Sequence, residues 1–296
     1  RVFPSSEAIQ ELSQFDEPLP PASTEASSVL EILETYGAPA TVRSTGGRYF
    51  GFVNGGVLPV AAASRWMSDV WDQNCALQAM SPLASKLEDV VEEWMVQLLG
   101  LQRGTALGLV GGSSVATLCG IAAARNSLLA KQGWDVAKDG LFGAPSIRVV
   151  ISNQAHGSVY KALSLLGLGK QRVEKVSADS QGRIQVAKLP PFDATTLVIL
   201  QAGHVSTGAF DDFDKICDLA NAAQAWVHID GAFGLWAAAS SQLNFLTKGM
   251  EKADSWCADA HKTLNAPYDC GIVLCKNRPA LKQAMAAEGS YLQESQ

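Results

Sequence analysis

Four short stretches of this 296-residue chain hold residue types able to do chemistry together. In "WCADAHKTLNAPYDCG", Trp256 to Gly271, Lys262 directly follows His261 among small and apolar neighbours. Such a lysine is either a solvated side chain at the turn before Pro267 or a nucleophile. An amine whose pKa falls from its unperturbed value near ~10.4, through burial or a nearby cation, attacks carbonyl groups and forms a Schiff base. In "WVHIDGAFG", Asp230 ends an apolar run and precedes residues small enough for a flat ring to approach. A buried carboxylate needs a partner, either a protein donor or a cationic ring nitrogen. His156, in "NQAHGSVYKA", places an imidazole at a helix start, as a cap or as a ring face. The stretch "LVGGSSVATLCG" runs from an apolar segment through Gly111 and Gly112 to Ser113 and Ser114 and then a helical pattern. It offers backbone N–H groups and the positive end of a helix dipole to an anion such as phosphate. It also fits an ordinary turn with serine N-caps. The dinucleotide fingerprint G-x-G-x-x-G and the nucleotide loop G-x-x-x-x-G-K-[ST] are both absent.

The elements that must carry these residues alternate along the chain. "TALGLV", "IRVVIS", "RVEKVS", "TTLVILQA", "AWVHID", "SWCAD" and "GIVLCK" read as strands. Between several of them, "SSVATLCGIAAARNSLLAK", "SVYKALSLLGLG" and "FDKICDLANAAQ" read as helices. Continuous Val/Ile/Leu strands between helices predict an α/β fold, a mostly parallel sheet covered by helices on both faces. In such sheets ligands bind at the carboxyl ends of the strands. Gly111 to Ser114, His156, His204 with Thr207, Asp230, and His261 with Lys262 all fall there, which predicts one site. Anion cup, imidazole, carboxylate and lysine together are the parts of a pyridoxal phosphate site: anion, ring face, ring nitrogen and aldehyde. His228, within a strand, and Cys119, within a helical apolar pattern, are read as structural.

Upstream, apolar residues recur at three- and four-residue spacing from Pro59 to Asp72 and from Pro82 to Leu99, giving two amphipathic helices. Ser81 is the expected N-cap of the second and Gly100 its end. Residues 1–45 hold two short amphipathic patterns around the proline-rich "EPLPPAS", an N-terminal arm of the kind that packs on a partner subunit; residues 46–296 form the large domain.

With 47% hydrophobic and 18% charged residues the chain has enough apolar content for a substantial core. The net charge of −6 and a pI near 5.3, with no basic stripe, argue against nucleic acid as a partner. Apolar runs fall short of the roughly 20 residues a membrane helix needs. The N-terminus lacks the apolar core of a signal peptide. Six scattered cysteines without a C-x-x-C pair signal neither a zinc site nor a disulfide framework and fit a reducing, cytoplasmic compartment.

With these elements in this order, the chain resembles the group II pyridoxal-phosphate-dependent amino-acid decarboxylases, which include glutamate and aromatic amino-acid decarboxylases. The resemblance runs from about Arg48 through Arg278, in "RYFGFVNGG", "GGSSVATLCGIAAAR", "NQAHGSVYKA", "STGAFDDF", "HIDGAFG" and "DAHKTLNAPYDCG". It implies the large domain of the aspartate aminotransferase type (fold type I), with pyridoxal 5'-phosphate as cofactor. It further implies carboxy-lyase activity on an L-amino acid through a Lys262 Schiff base, in a homodimer. By this resemblance Asp230 pairs with the ring nitrogen, His156 stacks on the ring, and Ser113 and Ser114 hold the phosphate. Ala232 packs on the ring's other face and His261 lies beside the Schiff base and phosphate. Lys262, Asp230 and His156 are then the catalytic set. Phe50, Phe52 and Asn54 are expected at the substrate pocket.

The chain also departs from the family pattern. Gly231 replaces the usual alanine, Thr263 a common aromatic residue, and His204 a commonly small one. Family members continue past the lysine block through a mobile catalytic loop and a small C-terminal domain, so the chain is expected to be a fragment. The alternatives are another lyase or aminotransferase using the same cofactor, or an inactive truncated remnant.

Overall fold

The computed structural model describes residues 1–286. Seven strands form one sheet: β1 (Ala106–Val110), β2 (Arg148–Ser152), β3 (Glu174–Val176), β4 (Thr196–Gln201), β5 (Trp226–Asp230), β6 (Ser255–Asp259) and β7 (Gly271–Cys275). Their order across the sheet is β1-β7-β6-β5-β4-β2-β3. β2 to β6 pair in parallel, and β7 runs antiparallel to both of its neighbours, β1 and β6. β1 therefore points the same way as the parallel strands, and the turn after it opens on the same sheet edge as the ends of β5 and β6.

The helices are α1 (Ser6–Gln10), α2 (Ala26–Ile32), α3 (Pro59–Trp71), α4 (Pro82–Leu98), α5 (Ser113–Ala130), α6 (Val136–Asp139), α7 (Gly157–Leu165), α8 (Phe213–Ala222), α9 (Ala260–Thr263) and α10 (Arg278–Met285). Successive strand side chains alternate between faces, so each central strand feeds two cores. Val198, Leu200, Val227, Ile229 and Trp256 pack with Phe213, Ile216 and Cys217 of α8. Leu197, Ile199, Trp226 and Cys257 pack on the other face with α5, α7 and α10, through Ile121, Leu128, Leu163 and Leu281. With eleven of its 18 residues buried, α5 is the central helix of that layer and is fixed where it meets the sheet.

One reading of local structure needs correction. The helix after β1 begins at Ser113 with Gly112 as N-cap, and no side chain of the capping residue satisfies its first turn. The serine cap expected there is absent. The N-cap of α4 is Ser81, whose Oγ accepts from Ala84 N–H at 3.4 Å. At the other end of the chain, α1 and α2 contain no buried residue, and α3 likewise buries none. Trp66 and Val70 on α3 are 72% and 82% exposed, an apolar surface without a covering element among the described residues.

Candidate active site

The site is built at one edge of the sheet, where Gly271 at the start of β7 lies opposite both Val110 of β1 and Asp259 of β6. Any side chain at 271 would strike the backbone of Gly112, so the turn after β1 lies flat on β7. Gly112 itself has φ +148°, a conformation that favours glycine. This close approach delivers the first residue of α5 to the last residue of β6. Ser113 N–H donates to Asp259 Oδ1 at 2.6 Å and Ser113 Oγ–H donates to Oδ2 at 2.7 Å.

Asp259 is the hub. Its Oδ2 also pairs with Lys262 Nζ at 3.0 Å, and His261 Nε2 lies 3.5 Å from the same oxygen. The carboxylate is buried, with its side chain 2% exposed, and the Lys262 side chain is 22% exposed. Its backbone is pinned as well: Asp259 N–H donates to Ala232 O at 2.8 Å and Trp236 Nε1–H donates to Asp259 O at 3.1 Å. His261 accepts Cys270 N–H at Nδ1, 3.0 Å, which leaves Nε2 as the protonated nitrogen turned to Asp259. The imidazole stacks on Tyr268, with ring centroids 4.2 Å apart and planes inclined by 29°. Burial, with Asp259 and Asp269 adding, raises the Tyr268 phenol above its ordinary pKa.

Asp230 ends β5 beside this cluster, paired in register with Cys257 of β6. It is 7% exposed, accepts Ala232 N–H at 3.3 Å and lies 3.5 Å from Cys257 Sγ. Burial, and next the Asp230 charge, hold the Cys257 thiol protonated, as a donor. These are long bonds, and among the described residues Asp230 has no ion pair. A buried carboxylate so thinly supported fits a cationic ring nitrogen. Gly231 leaves no spare room on this strand end: a methyl group there would meet Leu235 Cβ at 2.7 Å.

The predicted residues divide into two groups. Ser113, His261 and Lys262 meet at Asp259, and Asp230 and Ala232 stand beside them on the next strand. His156 touches none of these. It caps α7, its Nδ1 accepting Ser158 N–H at 3.3 Å and lying 2.8 Å from Ser158 Oγ. β2 is two strands away from β5, about 10 Å at ~4.8 Å per strand, and the imidazole is exposed. Ser114 is exposed and carries no side-chain bond, while His204 packs over Gly182 and accepts Ser206 N–H at 3.3 Å. His228 is structural: fully buried, its Nδ1 2.9 Å from Ser255 Oγ, with burial pushing its pKa down to about 3. Cys119 is a core residue.

Asp259 itself went unassigned in the sequence, although its spacing of three residues before Lys262 was a signal for an ion pair. The "RYFGFVNGG" stretch does reach the lysine block, but not through its phenylalanines. Phe50 and Phe52 are 93% and 87% exposed, whereas Asn54 Oδ1 accepts Tyr268 O–H at 3.0 Å. Gly55 crosses directly beneath the carbonyls of His261 and Lys262, and Gly56 N–H donates to Asn265 Oδ1 at 2.9 Å. A cavity of about 310 Å³ lies here, lined by Gly55, Ala62, Arg65, Trp66, Pro267 and Tyr268 among others. A larger one, about 550 Å³, opens at the opposite sheet edge around Lys131, Asp254 and Lys276 and contains none of the site residues. The described residues contain no cluster of metal-ligating side chains and no helix long and apolar enough to cross a membrane.

Comparison with known proteins bears on this arrangement. A family profile described as "Pyridoxal-dependent decarboxylase conserved domain" matches residues 10–296. The chain belongs to that family. Among curated relatives of this decarboxylase family, human acidic amino acid decarboxylase GADL1 is 28% identical over 261 residues, 85% of this chain and 49% of that protein. Bacillus atrophaeus aromatic-L-amino-acid decarboxylase is 30% identical over 225 residues, 72% of this chain and 44% of that one. The chain thus spans about half the length of the curated relatives it matches. Mouse CSAD in apo form superposes with a TM-score of 0.85 at 25% identity, covering 100% of this chain and 63% of that one. Oryza sativa TDC with PLP and tryptamine superposes at 0.84 and 21% identity, covering 99% and 63%, a likeness of fold. The α/β architecture is therefore that of the pyridoxal-phosphate decarboxylases.

Proposed function

We propose that this chain is the cofactor-binding part of a pyridoxal 5'-phosphate-dependent carboxy-lyase that removes CO2 from an L-amino acid. The observation that carries the reading is the pairing of two opposite needs at one sheet edge. Among the described residues Asp230 is a buried carboxylate without an ion pair, and Lys262, held by Asp259, is a partly exposed amine three residues after a strand end. The cofactor, when bound, supplies an aldehyde that captures amino groups and a ring that accepts the electron pair left when CO2 departs. Asp230 would hold a proton at the ring nitrogen and so keep that ring electron-poor. Lys262 would be the amine that holds the cofactor at its aldehyde. Ser113 at the α5 terminus takes the phosphate, with Ser114 beside it on the exposed side. Ala232 would pack on one face of the ring, and His156 would cover the other only by leaving its cap on Ser158 at the start of α7; His261 fixes the lysine's surroundings through its bond to Cys270.

The same reading divides the chain into an N-terminal arm, 1–45, and a cofactor domain, 46–296, and makes it a homodimer. Support comes from the arm, whose helices bury nothing, and from the uncovered Trp66 and Val70 of α3. All six cysteines are free thiols, in keeping with a reducing, cytoplasmic compartment. Relatives named for acidic and for aromatic amino acids match alike, so the substrate class stays at L-amino acid.

The test is to add pyridoxal phosphate to the purified chain, reduce with borohydride and map the pyridoxyl label, then assay amino acids for CO2. A single label on Lys262 is the expected result. Labels scattered over surface lysines would sink the assignment. Release of a keto acid in place of CO2 would turn it into an aminotransferase.

A further inference from the structure

We propose that Asp259 is an internal stand-in for the cofactor phosphate: its carboxylate takes the donors at the amino end of α5, and loading requires it to surrender Ser113. The inference rests on the cofactor reading above and concerns how the phosphate gains the helix terminus. An 18-residue helix presents unsatisfied N–H groups and partial positive charge at its first turn, and Gly112 has no side chain to cap them. The cap comes instead from β6, 146 residues away, through two bonds of 2.6 and 2.7 Å to Ser113 N–H and Oγ–H. The donors that the sequence offers to a phosphate are thus already taken by an anion of the chain.

That anion is built in. Its side chain is 2% exposed, and one oxygen also receives the Lys262 ammonium at 3.0 Å and faces His261 Nε2 at 3.5 Å. Asp259 therefore holds Ser113, His261 and Lys262 in place and acts as a positioning residue. A phosphate arriving at the same N–H cannot share it with a carboxylate. Two anions at hydrogen-bond spacing repel by more than the equivalent of roughly tenfold in affinity at a partly buried site. Loading consequently swaps one anion for another at the helix terminus and releases Asp259 from Ser113. The protein gains a preassembled site and gives up cofactor affinity.

Neutralising the carboxylate without changing its shape separates the two effects. The chain and its Asp259→Asn variant are melted, cofactor-free, in rising inorganic phosphate. Without phosphate the variant should melt lower, having lost its ion pair with Lys262. With phosphate it should gain stability at a half-saturating concentration at least about tenfold below that of the unchanged chain. Adding Ser113→Ala to the variant should abolish the gain, which assigns the phosphate to this turn. In absorbance titrations the variant should also bind pyridoxal phosphate more tightly, while pyridoxal, lacking the phosphate, should not distinguish the two. Equal phosphate responses, or a weaker one in the variant, would overturn the proposal. Asp259→Ser, also uncharged, replaces the amide variant should that one not fold. A chain that never labels at Lys262 defeats the cofactor reading yet leaves the phosphate comparison intact, so the two failures are distinguishable.

Discussion

Gly55→Ala tests whether the segment before α3 positions the lysine. A methyl group at Gly55 would overlap the carbonyl oxygens of both His261 and Lys262. Both are backbone atoms, anchored where Ala260 N–H and His261 N–H donate to Cys270 O at 3.0 and 3.3 Å, so no change of rotamer relieves the overlap. The φ of Gly55 lies outside the left-handed region, so alanine brings no conformational strain of its own and the effect isolates packing. Two hydrogen bonds close the same crossing, Gly56 N–H to Asn265 Oδ1 at 2.9 Å and Leu58 N–H to Asn265 O at 3.0 Å. Overpacking costs ~1–3 kcal/mol and a lost hydrogen bond ~1 kcal/mol. Separation of the two segments, with both bonds lost, should therefore cost ~3–5 kcal/mol, a fall in Tm of ~6–10 °C at about 2 °C per kcal/mol. Gly56→Ala is the control, because a methyl group there meets only Asn265 Oδ1 at 3.7 Å, an ordinary contact. Thermal melts of both variants, followed by pyridoxal phosphate and borohydride labelling, read stability and lysine placement separately. If Gly55→Ala melted with Gly56→Ala and labelled Lys262 as fully as the unchanged chain, the crossing would not position the lysine.

Other substitutions probe the chemistry and the core. On the proposed reading, Asp230→Asn should lower kcat about 100-fold or more with KM within a few-fold, because it would remove the carboxylate charge facing the ring nitrogen and leave substrate contacts alone; steady-state CO2 release checks this. Lys262→Ala should abolish the borohydride-fixed label while leaving the far-ultraviolet circular dichroism unchanged, since the side chain's one ion pair is with Asp259. His228 sets a pH dependence. Its folded pKa of about 3 lies below the ordinary 6.5, so the stability it contributes is present above pH 6.5 and is lost as pH falls toward 3. Between pH 6.5 and 4 that loss is about 3 kcal/mol, at 1.36 kcal/mol per unit. Asp211, raised to about 6 by burial, works in the opposite direction over the same range. The His228 contribution is therefore read as the difference between the denaturation curves of the unchanged chain and His228→Asn; parallel pH profiles would refute it.

How far the fold is legible depends on what each element needs. All seven strands stand where the sequence places them, and the central ones do so for a physical reason: strands buried on both faces read as unbroken Val/Ile/Leu runs, as in "TTLVILQA" over Thr196–Gln201. Strand direction leaves no such mark in composition. The antiparallel β7 is instead encoded by distance, since only residues 260–270 separate it from β6, too few for the helical crossover that parallel pairing demands. The helix α10 carried its own signals, Asn277 as N-cap and Pro279 in the first turn, and they went unread. α9 is four residues long, too short for any period to register.

In the site the same division recurs, between residue types and their partners. Lys262, Asp230 and Ser113 were legible because an amine, a carboxylate and a hydroxyl at strand ends are few and chemically distinct. The bond joining Ser113 to Asp259 was not, because nothing local in either segment refers to the other. It arises from the sheet: β1 and β6 flank β7, so Val110 and Asp259 both lie opposite Gly271. A side chain at 271 would strike Gly112 and lift the turn off β7. The helix terminus meets the carboxylate because position 271 carries no side chain.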